Sequence, residues 1–302
     1  MNAQPETRTA FIALVGKPNA GKSSLLNRLV GEKVAIVTQK PQTTRTRITG
    51  VLTKEETQLV FIDTPGLLKA KDALGRYMVK QVNDSVADVD LAVLVAEPGP
   101  ELSKADEELI GNFRRLRLPA IAVVNKVDTV ERKETILPKL AALGAAYDFQ
   151  HIIPISALTG EGVEELLGVL LDRAEPGVHF FPDDALTDQP ERVICAELIR
   201  EKLLLHMREE IPHGVAVVVE EMKDRPRDGE PMVDISAMIY CERDGHKGMI
   251  IGKGGQMLKV IATEARQDME SFLGAKVNLQ CRVKTREAWK NSEVQLRNLG
   301  FR

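Results

Sequence analysis

Eight consecutive residues near the start of the chain, Gly16-Lys17-Pro18-Asn19-Ala20-Gly21-Lys22-Ser23, have the composition of a phosphate cradle. They follow an apolar run, open a helical pattern and match GxxxxGK[ST]. A phosphate group needs several N–H donors converging on its oxygens, and glycines let the backbone bend to supply them. The positive end of the following helix adds to the attraction. Lys22 brings a full charge to β- and γ-phosphates, and the Ser23 hydroxyl can ligate Mg²⁺. Gly16, Asn19, Ala20, Gly21 and Ser24 complete the expected phosphate-lining loop.

Two further loops extend this chemistry. Asp63-Thr64-Pro65-Gly66 ends the apolar run Gln58–Ile62, about 40 residues after the cradle. A carboxylate there can hold Mg²⁺, usually through water. Gly66 gives its N–H an open approach to the γ-phosphate. Lys22, Asp63 and Gly66 are therefore candidate catalytic residues. Asn125-Lys126-Val127-Asp128 follows the apolar run Ala120–Val124. A carboxylate at Asp128 accepts from guanine N1–H and N2–H₂, whereas adenine has neither donor and would leave it unpaired. Asn125 is expected to reach the other edge of the base, and the Lys126 stem to lie flat against it. Ser156-Ala157-Leu158, after Ile152–Ile155, is expected to offer a backbone N–H to guanine O6.

These loops need a scaffold that brings them to one edge. The apolar runs Phe11–Val15, Gln58–Asp63, Leu91–Ala96, Ala120–Asn125 and Ile152–Ile155 have the length of buried strands. Helical patterns separate them at Lys22–Val30, Gly75–Ala87, Ser103–Leu116, Arg132–Leu143 and Val163–Ala174. Strand alternating with helix predicts an α/β domain, a mostly parallel sheet flanked by helices. In such a sheet ligands sit beyond the carboxyl ends of the strands, where the loops above lie.

The 302-residue length favours two domains. We read residues 1–8 as a flexible tail, 9–175 as the first domain and 176–190 as a linker rich in Pro and Asp. Residues 191–284 form a second domain, and 285–302 a basic tail. With 43% hydrophobic and 28% charged residues, disorder throughout is excluded. No run approaches membrane-helix length. The first residues lack the apolar stretch of a signal peptide. Three scattered cysteines make neither a disulfide framework nor a zinc site and predict a cytoplasmic setting. Residues 191–302 hold 19 Lys/Arg against 18 Asp/Glu, in a chain of net charge −3. The basic tail fits either a nucleic-acid contact or a solvated helix.

The second half reads as helix Arg192–Met207, strands Val215–Glu220 and Val233–Cys241, helix Met257–Leu273 and strand Lys276–Val283. This α-β-β-α-β order describes a small α+β domain. Before the second helix stands Gly252-Lys253-Gly254-Gly255 in the context IIGKGG. The turn resembles the GxxG loop of KH domains, which clamps a single-stranded backbone while an adjacent apolar groove takes the bases. The helix-first order is that of the type II KH domain. The same glycines would also serve as an ordinary helix-capping turn.

Taken in order, GKPNAGKS, DTPG, NKVD and SAL resemble the P-loop GTPases of the translation-factor class. Within it, PNAGKS and QTTRTRITG (Gln42–Gly50) resemble the Era group, and the resemblance runs from about Thr9 to Phe301. It implies GTP/GDP and Mg²⁺ as ligands, with a switch threonine on the metal: Thr44 first, Thr43 second. The alternative is that both merely begin the strand near Ile48–Leu52. Leu67 stands where small signalling GTPases carry a water-orienting Gln, which implies slow intrinsic hydrolysis. Relatives with PNxGKS are thought to use the loop Asn to hold K⁺; Asn19 fits that role or that of a turn-stabilising residue. The family implies binding to the 3′ end of small-subunit ribosomal RNA and to the 30S subunit during assembly. It also implies a monomer, and peripheral association with the inner membrane face. RNA contacts are expected from Gly252–Gly255 and from Arg286, Trp289 and Lys290, with Trp289 either stacked on a base or buried. Rival readings are a GTP-stabilised scaffold without catalysis, and a GTPase whose second domain docks protein or membrane.

Overall fold

Leu91–Ala96 and Ala120–Val124 contain no polar side chain, and every residue of both is buried. Such runs suit strands covered on both faces, the environment of a parallel sheet with helices on either side. The computed structural model describes residues 7–40, 42–66, 72–87, 89–207, 211–225 and 230–301. It divides into two compact units. The first comprises Met1–Ala35, Thr44–Lys69 and Met78–Asp188; the second comprises Ile36–Thr43, Ala70–Tyr77 and Gln189–Arg302.

The chain runs β1 (Arg8–Val15), α1 (Lys22–Val30), β2 (Ile48–Lys54), β3 (Thr57–Asp63), α2 (Ala73–Ala87), β4 (Leu91–Ala96), α3 (Lys104–Leu116), β5 (Ala120–Val124), α4 (Leu137–Ala146), β6 (Ile152–Pro154), α5 (Val163–Asp172) and β7 (Glu175–Pro176). The first unit's sheet has the order β2-β3-β1-β4-β5-β6, with β7 against β1. Pairings among β3, β1, β4, β5 and β6 are parallel, while β2–β3 and β1–β7 are antiparallel. Since β3 and β4 flank β1 on opposite sides, the loop after β1 lies where the connections diverge, the usual ligand crevice.

Helix α1 shows how local chemistry fixes an element. It is bounded by Gly21 and Gly31, both left-handed, and Gly31 N–H donates to Asn27 O. It buries Leu25, Leu26, Leu29 and Val30 in the core with Ile48, Leu59 and Phe61. Gly50 lets β2 approach α1 closely, since a Cβ would stand 2.5 Å from a Leu26 methyl and force that side chain to shift. Helix α3 carries the reciprocal Ser103–Asp106 capping box. Residues 176–188 lie on the first unit: Gln58 Oε1 accepts from Phe180 and Phe181 N–H, and Leu186 O accepts from Val51 N–H.

The second unit continues with α6 (Glu191–His206), β8 (Ala216–Asp224), β9 (Met232–Cys241), α7 (Asp244–Ile251), α8 (Gln256–Leu273), β10 (Lys276–Thr285) and α9 (Glu293–Asn298). Its sheet order is β10-β9-β8, with β9 parallel to β10 and antiparallel to β8. Along β9 every second residue is buried: Val233, Ile235, Ala237, Ile239 and Cys241. They share a core with Ile199 and Leu203 of α6 and with Ile261, Ala265 and Met269 of α8. The α-β-β-α-β reading needs one correction. An eight-residue helix, α7, stands between β9 and the glycine turn. Its Gly245 and Gly248 carry low helix propensity, which hides it from pattern reading.

Ile36–Thr43 is the second unit's contribution from far upstream. Ile36 is part of its core, and Val37 N–H donates to Glu201 Oε1 at 3.0 Å. Thr43 O accepts from the Arg200 guanidinium, and Met207 O accepts from Lys40. Cys195, Cys241 and Cys281 are free thiols. Among the described residues, no helix is long and apolar enough to cross a membrane, and no cluster of three His, Cys, Asp or Glu could hold a metal.

Candidate functional site

The carboxyl ends of β1, β3, β5 and β6 deliver the phosphate loop, Asp63–Gly66, Asn125–Asp128 and Ser156–Leu158 to one edge of the first unit. The phosphate loop approaches its neighbours so closely that its glycines are obligatory. A Cβ on Gly16 would meet Val95 O at 2.3 Å, and one on Gly21, whose φ is 96°, would meet Asn125 Nδ2 at 2.2 Å. Gly66 is similarly constrained, since its Cβ would fall 2.4 Å from Pro18 N.

Lys22 is buried inside the loop and donates to Gly16 O at 3.2 Å and Lys17 O at 3.0 Å. Burial lowers its pKa to about 8, against the opposing pull of the Asp63 charge. Burial likewise raises Asp63 to about 6, opposed by Lys22 and by hydrogen bonds from Ser23, Thr64 and Thr44. Both groups are thus held without enough solvation for their charges. A phosphate on Lys22 and a cation on Asp63 would relieve both at once.

Ser23 Oγ lies 2.6 Å from Asp63 Oδ2 and 2.9 Å from Thr44 Oγ1. Asp63 Oδ1 is buried with no hydrogen-bond partner. Two hydroxyls and a carboxylate with an unused oxygen form a hard-oxygen donor set that fits Mg²⁺. The structure also separates the two threonines. Thr44 joins this group, whereas the Thr43 hydroxyl is engaged with Thr38 Oγ1 at 2.7 Å and Lys40 O at 2.6 Å. Leu67 lies outside the described residues.

At the other end of the site, Asp128 is exposed and its Oδ1 accepts from Ser156 Oγ at 2.5 Å. Asn125 Nδ2 donates to Ala20 O at 2.8 Å, and its Oδ1 accepts from Ala157 N–H at 2.9 Å. It is 2% exposed and fastens the phosphate loop to the Ser156–Leu158 loop. The Ala157 N–H is engaged in that bond. Lys126, in a left-handed conformation, donates to Asn19 O at 2.6 Å and pairs with Glu97. Glu97 and Arg28 escaped the sequence reading. Arg28 donates to Ala157 O at 3.2 Å and to Leu158 O, so it steadies that loop. Glu97 had one visible signal: it is the first polar residue after an all-apolar strand, the position Asn125 occupies after β5.

In the second unit, Gly252–Gly255 is a tight turn between α7 and α8. Gly252, Gly254 and Gly255 all have positive φ (74°, 60° and 80°), and Lys253 is exposed among them. A Cβ at Gly252 would stand 2.7 Å from Met257 Cβ and 2.9 Å from Met257 N. Trp289 must be withdrawn as an RNA contact. It is fully buried, donates from Nε1 to Gly214 O at 3.1 Å and stacks on Phe301. Exposing it would forfeit about 3–5 kcal/mol of packing for a base stack worth about 1–3 kcal/mol. Lys290 pairs with Glu242 at 3.0 Å, and Arg286 lies over the Tyr240 ring at 5.2 Å. A partly exposed pair of the first kind is worth under about 1 kcal/mol, so a phosphate can compete for Lys290.

Comparison with known proteins gives two family matches. A family described as 50S ribosome-binding GTPase matches residues 11–126, and the KH domain family matches residues 210–290. A protein from Clostridioides difficile called GTPase Era is 46% identical, with 97% of this chain and 98% of that protein aligned. The GTPase Era of Caldanaerobacter subterraneus is 45% identical over 97% and 98%. Among solved structures, a single-substitution variant of Aquifex aeolicus Era bound to GDP and AlF4⁻ superposes with a TM-score of 0.93 at 38% identity, covering 98% of this chain and 99% of that one. An Era complex with MgGDPNP and nucleotides 1506–1542 of 16S ribosomal RNA superposes with a TM-score of 0.92, at the same identity and coverage.

Proposed function

The chain belongs to the Era family of GTPases, and from that premise we propose a switch that hydrolyses GTP with Mg²⁺ while its KH domain holds the single-stranded 3′ end of small-subunit ribosomal RNA. The cluster of Ser23, Thr44 and Asp63, whose Oδ2 accepts from Ser23 while its Oδ1 is left without a partner, carries the nucleotide half of this reading. Ser23, Thr44 and Asp63 would hold the metal. Mg²⁺, when bound, neutralises β- and γ-phosphate oxygens. Lys22 does the same from inside the loop, and Gly66 presents its N–H to the γ-phosphate. Asp128 reads guanine, and the Lys126 stem lies against its face.

The RNA half rests on the Era complex with the 16S fragment and on the chemistry of the turn. Glycines at Gly252, Gly254 and Gly255 leave the backbone open to a phosphate, and Lys253 meets its charge. Met249 and Val260, 52% and 43% exposed on the flanking helices, offer aliphatic surface to bases. Arg286 and Lys290 extend the basic side. Lys253→Asp is expected to weaken binding of a short RNA from the ribosomal 3′ end by about ten- to a hundredfold, and to flatten its salt dependence. A gel shift unchanged by this substitution at every salt concentration points instead to a protein or membrane partner. A ribosomal partner places the protein in the cytoplasm, on the 30S subunit. Contact with the inner membrane face would then be peripheral.

Coupling between nucleotide and RNA is proposed to run through Ile36–Thr43. Glu201 and Arg200 hold that segment in the second unit, and the next residue, Thr44, is the proposed metal ligand. RNA affinity is expected to differ between GDP and a non-hydrolysable GTP analogue by roughly 5–150-fold, the usual range for linked sites. Glu201→Gln is expected to shrink that ratio. Equal affinities in wild type refute the coupling.

Asn19 is exposed and held in a left-handed conformation. We read its side chain as a K⁺ ligand beside the phosphates, so turnover should be faster in KCl than in NaCl. Equal rates assign it to the turn alone.

A further inference from the structure

The sheet order places β4 between β1 and β5, so the residue that follows β4 stands between the phosphate loop and the base-reading loop. That residue is Glu97. One of its oxygens pairs with Lys17 of the phosphate loop, the other with Lys126 of the base-reading loop. Lys126 also donates to Asn19 O at 2.6 Å, which makes a closed circuit from Lys17 through Glu97 and Lys126 back to Asn19. Burial would raise the Glu97 pKa, but the hydrogen bonds and charges of the two lysines outweigh it, and the carboxyl sits below its ordinary value.

We propose that Glu97 is a positioning residue that fixes how long a guanine nucleotide stays bound, by holding the Lys126 stem against the base and locking the two loops together. This rests on the guanine-nucleotide reading of the site. Release requires the base to leave the face of the Lys126 stem. With Glu97 in place, that stem is held at its charged end by a carboxylate and a carbonyl. The carboxylate itself is anchored to the phosphate loop through Lys17. Glu97 spends both carboxylate oxygens on Lys17 and Lys126, so it acts through those lysines, on residence and not on bond cleavage.

The experiment is stopped-flow release of a fluorescent GDP from the full-length protein, with single-turnover GTP cleavage measured alongside. Glu97→Gln preserves shape and removes the charge. Release is expected to quicken by about three- to tenfold, the scale of two half-exposed ion pairs. The single-turnover cleavage rate at saturating GTP should stay unchanged. Raising NaCl from about 0.05 to 0.5 M shortens the screening length severalfold. It should quicken release from wild type and leave the variant nearly flat. Lys17→Gln removes one arm only and should fall between the two. Equal release from wild type and Glu97→Gln, or equal salt slopes, overturns the proposal. A wild type that binds no fluorescent GDP overturns the nucleotide reading instead. Should Glu97→Gln fail to fold, the wild-type salt slope and Lys17→Gln still decide: flat and unchanged release, respectively, refute it.

Discussion

Asp128→Asn should turn a guanine-specific site into one that prefers xanthine. Guanine presents two donors, N1–H and N2–H₂, and the carboxylate accepts both. An Asn side chain keeps one acceptor and sets an NH₂ against the guanine amino group, so donor faces donor in a partly desolvated site. Xanthine carries a carbonyl at that position and restores the match. Sites built around such bonds reject a mismatched partner by about 10⁴-fold at the upper end; with Asp128 exposed, about 10²–10³-fold for GTP is expected. Direct titration of fluorescent GDP and of fluorescent XDP into wild type and variant measures it. The Ser156 Oγ bond to Asp128 Oδ1 survives in Asn, whose carbonyl still accepts, so the loop should keep its shape. A variant that loses both nucleotides, or retains GTP unchanged, removes Asp128 from base reading.

Lys22→Met has the second large effect. Removing one preorganised charge from a buried reaction centre typically lowers a rate by about 10²–10³-fold, and single-turnover cleavage at saturating GTP should fall on that scale. A pH effect accompanies it. Lys22 must be cationic to meet phosphate, and burial brings its pKa down to about 8. GTP affinity of the wild type is therefore fully present below pH 8 and declines as pH rises through it. The slope approaches at most a tenfold loss per pH unit. Bound phosphate pulls the lysine pKa back up, so the decline belongs to the free protein. The Met variant should bind weakly and show no such decline. A wild-type affinity flat from pH 7 to 9 would mean that Lys22 keeps its proton throughout.

Much of this site was legible because its loops are contiguous in sequence. GKPNAGKS, DTPG and NKVD each name their own chemistry, and the apolar strands before them say where they stand. What was not legible depends on side-chain direction and strand order. Thr43 and Thr44 are neighbours of the same type, and only their hydrogen bonds tell which one reaches Ser23. Asn125 reads as a base contact when the motif is taken in a line. In the fold its amide also ties Ala20 to Ala157, a role that depends on loops 32 and 105 residues away meeting it. Glu97 meets partners 80 and 29 residues away in sequence, an arrangement created by β4 lying between β1 and β5. In the second unit the GxxG turn was readable, whereas α7 was hidden by its glycines. Trp289 followed packing: a large apolar ring with one donor goes inside when a carbonyl such as Gly214 O can meet it.

Surface connections ordinarily accept a residue gained or lost with little loss of stability. Residues 36–40 and 42–44 are held at several points. The beginning is embedded at Ile36, the end is gripped at the Thr43 carbonyl, and the very next hydroxyl must meet Ser23. One residue more or fewer shifts everything beyond it by up to about 3.8 Å, enough to substitute the wrong threonine or none. Along this tether it is the count of residues, more than their identity, that tolerates change least.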